Sequence, residues 1–138
     1  MTEQVLVVDD SLLMRAVVRD IITADETFEV VGEAVDGQDA LEKARELRPD
    51  LILLDIEMPR MNGIEALKRL ALISAAPVII VSSAAQVGAD EAQEALRLGA
   101  AAVVAKPSGA LSLDLKAKRG HDIVLAARKA LGLGEAPA

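Results

Sequence analysis

Leu51-Ile52-Leu53-Leu54-Asp55-Ile56-Glu57-Met58-Pro59 is the stretch of sequence that decides the fold. Four aliphatic residues in a row end at an aspartate, with Pro49-Asp50 before them and Met58-Pro59 after them. A continuous apolar run bounded by turn residues is typical of a strand that is buried on both faces of a parallel sheet. Ligands of open α/β sheets bind at the carboxyl ends of the strands, so Asp55 is a candidate functional residue. Taken alone, it is equally well explained as a turn residue.

The rest of the chain alternates in the same way between short apolar runs and helical periodicity. Further apolar, β-branched runs lie at 4–8, 29–33, 77–81 and 101–105. Apolar residues at spacings of three and four predict a helix after each run, and this alternation is typical of an α/β fold with a five-stranded parallel sheet sandwiched by five helices. The predicted inward residues of the last two helices are Ala92, Ala95 and Leu96, and then Ala117, Gly120, Val124, Ala127 and Leu131.

The composition of the chain excludes several classes of protein. Its 138 residues suit one domain, and the absence of cysteine excludes a disulfide framework and thiol chemistry. The net charge of −7 offers no cluster of basic residues for phosphate contacts, so we expect no direct binding of nucleic acid. No apolar run approaches the ~20 residues of a membrane span, and no signal peptide opens the chain. We therefore expect a cytoplasmic protein that does not bind membranes.

Polar residues follow four of the five predicted strands. Because the carboxyl ends of parallel strands share one edge of a sheet, these residues are candidates for a single site. Each also has a simple structural explanation, since Asp-Asp-Ser can merely cap a helix and a lone Lys-Pro is commonly a solvated loop. The candidates are Asp9 and Asp10 after strand 1, Asp55 after strand 3, Ser82 at the end of strand 4, and Lys106 after strand 5.

The joint pattern indicates metal-assisted phosphoryl transfer to a carboxylate. Three neighbouring carboxylates repel one another, and a hard cation with oxygen ligands such as Mg²⁺ removes that conflict. An aspartate can act as the nucleophile, and Asp55 suits this role because it stands alone on the central strand. The adjacent pair Asp9-Asp10 suits metal binding. Lys106 and the Ser82 hydroxyl can contact an anionic phosphoryl group.

Four separated motifs resemble the receiver domain of two-component response regulators. They are Val-Val-Asp-Asp-Ser (7–11), Leu-Leu-Asp-Ile-Glu-Met-Pro-x-Met-Asn-Gly (53–63), Val-Ser-Ser (81–83) and Lys-Pro (106–107). The resemblance implies the flavodoxin-like receiver fold with strand order 2-1-3-4-5, an order that the spacing itself does not establish. It implies a receiver domain over 1–131, with 132–138 as a flexible tail or the start of a linker.

The resemblance also implies a role for each site residue. Asp55 would accept a phosphoryl group from a sensor histidine kinase or a phosphotransfer protein. Asp10 would bind Mg²⁺ (or Mn²⁺) directly, Asp9 would assist through water, and the backbone carbonyl of Glu57 would complete the protein ligands. Ser82 and Lys106 would then contact the phosphoryl oxygens.

Phosphorylation would shift an existing conformational equilibrium. The face formed by strand 4, helix 4, strand 5 and helix 5 would carry the change to an output protein or a downstream domain. One departure affects this step. The family usually has Tyr or Phe three residues before the lysine, where this chain has Val103. Glu57 also places a carboxylate beside the site, which we expect to influence the rate of dephosphorylation.

A narrower resemblance leaves two interpretations open. Leu-Met-Arg (13–15), Asp-Ile-Glu-Met-Pro (55–59) and Lys-Pro-Ser-Gly-x-x-Ser-Leu-Asp (106–114) are similar to the receiver of chemotaxis protein-glutamate methylesterases. In that family a domain with a serine nucleophile follows, but no Gly-x-Ser-x-Gly occurs in this chain. We expect a signalling domain and not an enzyme, either as a single-domain regulator or as a fragment whose catalytic domain is missing. A small aspartate-nucleophile phosphatase is disfavoured because such enzymes place Asp-x-Asp after strand 1.

Overall fold

The computed structural model describes residues 2–83, 90–107 and 113–134, with side chains at all of them except 113–116. The strands are β1 (Glu3–Val8), β2 (Phe28–Ala34), β3 (Leu51–Leu54), β4 (Val78–Ser82) and β5 (Ala102–Ala105). The helices within these ranges are α1 (Leu12–Thr23), α2 (Gly37–Leu47), α3 (Gly63–Ile73), α4 (Asp90–Arg97) and α5 (Leu113–Ala130). None of these helices is long and apolar enough to cross a membrane. The predicted start of the fourth helix at Ala89 and the predicted loop at 108–112 lie outside the described residues.

The five strands form one parallel sheet in the order β2-β1-β3-β4-β5, which confirms the predicted fold. β3 lies at the centre, pairing with β1 through residues 51–54 and with β4 through 52–54. All four of its residues are buried, as a strand covered by helices on both faces requires. The carboxyl ends of all the strands therefore share one edge of the sheet.

Alternate residues of the inner strands enter two separate cores, one on each face of the sheet. We call the first the α2–α3 core; it contains the strand residues Leu6, Val8, Ile52, Leu54 and Ile80. We call the second the α1–α5 core; it contains the strand residues Val5, Val7, Leu51, Leu53 and Ile79. Because successive side chains of a strand point to opposite faces, an unbroken aliphatic run supplies both cores at once. Phe28, the one aromatic residue of the chain, is buried in the α1–α5 core.

Side-chain oxygens cap the first turns of three helices. Ser11 accepts a hydrogen bond from the amide of Met14 at 3.1 Å, so Ser11 is the residue that caps α1. Asp36 and Asn62 accept from the third residue of α2 and α3, at 2.8 and 3.0 Å. These bonds satisfy amides that have no partner inside their helix. The caps of α1 and α3 lie at the same edge of the sheet as the candidate site.

The inward faces of α4 and α5 differ in part from the sequence-based prediction. Ala92 and Ala95 are buried, but the Leu96 residue is 44% exposed, so the prediction of Leu96 as an inward residue is wrong. Ala117 is also exposed, whereas the unpredicted Ile123 is fully buried. Periodicity defines a stripe about 100° or more wide, and the neighbouring sheet decides which residues at its margin are covered.

The segment after α5 remains in contact with the domain. Arg128 is buried; its Nη1 donates to Asp25 Oδ2 at 3.0 Å and to Thr27 Oγ1 at 2.9 Å, and its Nε donates to the carbonyl of Gly134 at 2.6 Å. Leu133 packs against the α1–α5 core. Packed structure thus reaches Gly134, while the predicted boundary at 131 stays a prediction and residues 135–138 lie outside the described part.

The turn from β3 to α3 is closed by a contact that only glycine permits. The Gly63 amide donates to the carbonyl of Ile56 at 2.7 Å. A Cβ on Gly63 would lie 2.2 Å from the carbonyl oxygen of Asp55 and 2.7 Å from the Ile56 Cα. Both neighbours are backbone atoms, which cannot move without displacing the end of β3. Gly63 therefore holds the turn that follows Asp55 against the start of α3.

We expect Gly63→Ala to destabilise the fold by about 1–3 kcal/mol, the usual cost of overpacking. Gly120→Ala is the matched control, because a Cβ there would meet Ile21 only at 3.5 Å. That control sits inside α5 and should be stabilising by about 0.5–1 kcal/mol, since alanine favours a helix. Urea denaturation of the two variants measures both effects. Equal changes in the free energy of unfolding would contradict the proposed close contact at Gly63.

Candidate functional site

Three of the predicted site residues are fixed by backbone hydrogen bonds that extend the sheet past the strand ends. The Asp9 amide donates to the carbonyl of Ala34 at 3.0 Å. The Asp55 amide donates to the carbonyl of Val8 at 3.0 Å, and the Lys106 amide donates to that of Ser82 at 2.8 Å. In each case the acceptor is the last residue of the neighbouring strand. The positions of these three side chains therefore follow from the strand order itself.

The ammonium group of Lys106 bridges two buried carboxylates. Its Nζ lies 2.8 Å from Asp9 Oδ2 and 3.3 Å from Asp55 Oδ2. The Lys106 side chain is 14% exposed, and both aspartate side chains are still less exposed. A cation that touches two desolvated carboxylates forms charge-assisted hydrogen bonds with both. β5 is thereby linked through this side chain to β1 and β3, which lie further across the sheet.

Asp9, Asp10 and Asp55 form a cluster of possible cation ligands. Each offers one carboxylate oxygen, and these oxygens all lie within 4.8 Å of one another. Asp9 and Asp55 are buried, whereas Asp10 is exposed, so the cluster opens to solvent on one side. Carboxylate oxygens are the ligands that hard divalent cations prefer, and the open side leaves room for the waters that Mg²⁺ retains. The donor set therefore fits a divalent cation.

An open cleft of about 640 Å³ leads to this cluster. Asp10, Asp55 and Lys106 line it, and Glu57 lines it from the turn after β3. Glu91, from the first turn of α4, also lines the cleft, although no sequence motif indicated it. Its place depends on how α4 packs beside α3, which sequence spacing does not define. Asp55 thus faces an open cleft although its side chain is almost fully buried.

Ser82 lies on β4, the neighbour of β3, and Val103 lies on β5, the next strand beyond β4. Ser82 is the last residue of β4 and is fully buried, at the same edge as the aspartates. Val103 pairs with Ile80 in the ladder between β4 and β5 and packs against the α2–α3 core. A valine at this position cannot rotate an aromatic ring between buried and exposed states. In this respect the chain departs from the pattern that the resemblance implies.

Burial and the neighbouring charges act in different directions on the pKa of Asp55. Burial raises the pKa of the Asp55 carboxyl to about 6. The positive charge of Lys106 counteracts this rise, while the negative charges of Asp9 and Asp10 add to it. Burial alone would lower the pKa of Lys106, but its hydrogen bond to Asp9 and the charge of Asp55 raise it above the usual range. The lysine thus stays charged, although its charge does not fully offset the effect of burial on the pKa of Asp55.

Residues 5–118 match the family of response regulator receiver domains. The chain belongs to this family, and it is a receiver module of two-component signal transduction. The match confirms the resemblance found in the sequence.

The relatives of this receiver include bacterial methylesterases. It is 50% identical over 113 residues to protein-glutamate methylesterase/protein-glutamine glutaminase 1 of Syntrophomonas wolfei, covering 82% of this chain and 32% of the relative. It is 51% identical over 116 residues to the methylesterase/glutaminase of Halalkalibacterium halodurans, covering 84% of this chain and 34% of the relative. The chain thus spans about a third of the length of these curated relatives.

Two solved structures share the fold over nearly the whole chain. The crystal structure of the response regulator domain of Thermotoga maritima CheB has a TM-score of 0.85 and 44% identity, covering 98% of this chain and all of that one. A chain in the crystal structure of the P1 domain of CheA3 in complex with CheY6 from R. sphaeroides has a TM-score of 0.78 and 39% identity, covering 94% and 97%. Both neighbours carry the receiver fold.

The raised pKa of Asp55 predicts a characteristic pH dependence of stability in metal-free solution. The folded state binds this proton more tightly than the unfolded chain, whose carboxyl has a pKa of 3.8. Ionised Asp55 therefore lowers stability above about pH 6, and this loss disappears as the pH falls to about 4. At about pH 7.5, Asp55→Asn should raise the free energy of unfolding by about 1–3 kcal/mol.

The gain should shrink when the same unfolding measurements are repeated at about pH 4.5. Asp50→Asn is the control, because the Asp50 side chain lies at the opposite edge of the sheet, where it accepts from the Gln4 amide at 2.7 Å. If Asp55→Asn destabilises the protein equally at both pH values, burial does not dominate the ionisation of Asp55.

Proposed function

We propose that Asp55 accepts a phosphoryl group from the phosphohistidine of a sensor histidine kinase or a phosphotransfer protein. The observation that supports this proposal best is the position of the Lys106 ammonium, in contact with Asp55 and Asp9 beside Asp10. In the reaction a carboxylate oxygen of Asp55 forms a bond to phosphorus as the phosphorus–nitrogen bond of the donor breaks. The histidine nitrogen keeps the electron pair of that bond. The product is an aspartyl phosphate.

The residues around Asp55 have distinct parts in this reaction. Ionised Asp55 is the nucleophile, and a pKa of about 6 leaves it mostly ionised near neutral pH. Lys106 is already held beside the acceptor oxygen and contacts the phosphoryl oxygens as charge develops on them. Ser82, at the end of β4, contacts the same group through its hydroxyl. The cleft beside Asp10 and Glu57 admits the donor histidine.

The divalent cation in this proposal is Mg²⁺ or Mn²⁺. Asp10 would bind it directly, Asp9 would act through water, and Asp55 and the backbone carbonyl of Glu57 would complete the protein ligands. Bound there, the cation supplies positive charge to the phosphoryl oxygens during transfer. Support comes from the three carboxylates within 4.8 Å of one another, whose mutual repulsion a cation relieves.

The proposed partners follow from the class of domain. The R. sphaeroides complex joins the P1 domain of CheA3 to CheY6, which is a precedent for a phosphotransfer partner. The output partner would bind the face formed by β4, α4, β5 and α5, or this face would contact a further domain. Because Val103 replaces the usual aromatic residue, we propose that rearrangement of backbone and of packing in the α2–α3 core carries the signal.

Two forms of the whole protein remain compatible with this activity. The matched segment covers only about a third of the methylesterase relatives, so one form is the regulatory receiver of a chemotaxis methylesterase. The other is a single-domain regulator of the same subfamily. In both forms the domain of 1–131 acts as a phosphorylation-switched module and carries no esterase activity of its own. The segment of 132–138 would begin a linker in the first form and would be a flexible tail in the second.

Phosphorylation by a small phosphodonor tests the proposal directly. With Mg²⁺ present, the intact protein should gain the mass of one phosphoryl group, and the modification should be stable in acid and labile in base. Asp55→Asn should abolish the gain, and Asp10→Asn should reduce it by at least about tenfold through loss of a metal ligand. Asp50→Asn, at the opposite edge of the sheet, should label like the wild type. Labelling of Asp55→Asn, or labelling that persists in EDTA, would refute the assignment.

Glu57 should affect how long the phosphoryl group remains on Asp55. Its exposed carboxylate lines the cleft, where it can accept a hydrogen bond from an attacking water. We expect Glu57→Ala to lengthen the half-life of the aspartyl phosphate by about threefold, because that water is less well oriented. Glu46→Ala, an exposed change in the last turn of α2, is the control. An unchanged half-life in Glu57→Ala would exclude this role.

A further inference from the structure

Arg15 connects the end of β2 to the first acidic residue of the site. Its side chain is only 11% exposed, although it lies in the first turns of α1. Nη1 donates to the backbone carbonyl oxygen of Asp9 at 2.8 Å. Nε donates to Glu33 Oε1 at 3.0 Å. The planar guanidinium presents its donors in a fixed arrangement, so the carboxylate on one side sets the direction of the bond on the other.

The bond from Arg15 completes the hydrogen bonding of Asp9. The Asp9 amide donates to Ala34, and its two carboxylate oxygens accept from the Ser11 amide at 2.9 Å and from Lys106 Nζ at 2.8 Å. The carbonyl oxygen is the remaining polar atom, and Arg15 binds it. This oxygen belongs to the planar peptide unit that joins Asp9 to Asp10. Its orientation therefore sets the direction in which the chain leaves toward Asp10.

We propose that Arg15 is a positioning residue for the divalent-cation part of the site, with Glu33 orienting Arg15. This inference rests on the proposed function, because it assigns Arg15 an effect on the carboxylates that would hold the cation. Arg15 itself does not contact the cation or the phosphoryl group. It acts by holding the Asp9–Asp10 peptide unit so that both carboxylates stay in the cluster with Asp55. Partners that orient metal ligands contribute strongly to metal affinity in other sites.

The sign of the effect separates positioning from simple electrostatics. Arg15 is a positive charge close to an acidic cluster, so Coulomb repulsion alone disfavours a bound cation. Removing that charge should tighten Mg²⁺ binding if electrostatics were the only contribution. If Arg15 positions the ligands, its removal should weaken Mg²⁺ binding instead. The two explanations thus predict changes in opposite directions.

Arg19 provides a matched control on the same helix. It lies one turn after Arg15, and its Nη1 donates to the other oxygen of Glu33 at 2.8 Å. Its side chain is 50% exposed, and no described bond joins it to Asp9. Arg19→Met therefore removes a positive charge and an ion pair with Glu33 while the Arg15–Asp9 bond remains. Arg15→Met removes a similar charge and ion pair together with that bond.

The experiment measures the Mg²⁺ dissociation constant of the wild type, Arg15→Met and Arg19→Met by amide NMR titration. Circular dichroism establishes that each variant is folded. We expect Arg15→Met to weaken binding about tenfold, as loss of an orienting partner does in other metal sites. Arg19→Met should bind as the wild type does or slightly more tightly. In metal-free buffer, hydrogen exchange of amides 9–11 should accelerate in Arg15→Met and not in Arg19→Met.

Glu33→Ala and Glu33→Gln are the second pair of variants, and they decide the question if Arg15→Met does not fold. Both remove the same negative charge, but the amide oxygen introduced by Glu33→Gln can still accept from Arg15 Nε, so Glu33→Ala should weaken binding several-fold more than Glu33→Gln. Unchanged or tighter Mg²⁺ binding in Arg15→Met, or equal binding in the two Glu33 variants, would overturn the role of Arg15. Equal weakening by Arg19→Met would also overturn it. A wild type that binds no Mg²⁺ would refute the proposed function as well, which distinguishes that failure from failure of the Arg15 role alone.

Discussion

The contact of Lys106 with Asp9 and Asp55 is the interaction on which the site depends. Three carboxylates share the edge of the sheet, and two of them are almost removed from water. One ammonium group compensates one of the three negative charges, which leaves two when all three carboxylates are ionised. Burial is the main cause of the raised pKa of Asp55, and the negative charges of Asp9 and Asp10 add to it. A bound divalent cation would balance the two remaining negative charges. The oxygen ligands and the charge balance of the site therefore both favour a divalent cation.

This contact depends in turn on the order of the strands. Lys106 follows β5, which lies two strands from β3 and three from β1. Neighbouring strands are about 4.8 Å apart, so a shorter side chain on β5 could not reach the aspartates. The backbone hydrogen bonds just past the strand ends fix the backbone positions of Asp9, Asp55 and Lys106, from which their side chains extend. Burial of both faces of the sheet in the two cores makes those backbone positions rigid.

Much of this arrangement could be predicted from the sequence, because strands buried on both faces are unbroken aliphatic runs and parallel strands share a carboxyl edge. Asp55 and Lys106 could be assigned to one site without any knowledge of their distance. The margins of helices could not be predicted, as Leu96 and Ile123 show, because coverage depends on the packing partner. The hydrogen bond of Arg15 to Asp9 could not be predicted either, because an arginine on the polar face of a helix is usually exposed to solvent.

Phe28 has a consequence for spectroscopy. It is the one Phe, Tyr or Trp residue of the chain, and it is buried in the α1–α5 core, whereas Val103 packs against the α2–α3 core on the other face of the sheet. The imidazole of His121 is exposed, so strong ring-current shifts of buried methyl groups originate from one known position. Strongly shifted methyl signals belong to side chains that touch Phe28, and they report on the α1–α5 face. The methyl groups around Val103 lie across the sheet from that ring, so changes in their signals reflect packing and backbone conformation rather than movement of the Phe28 ring.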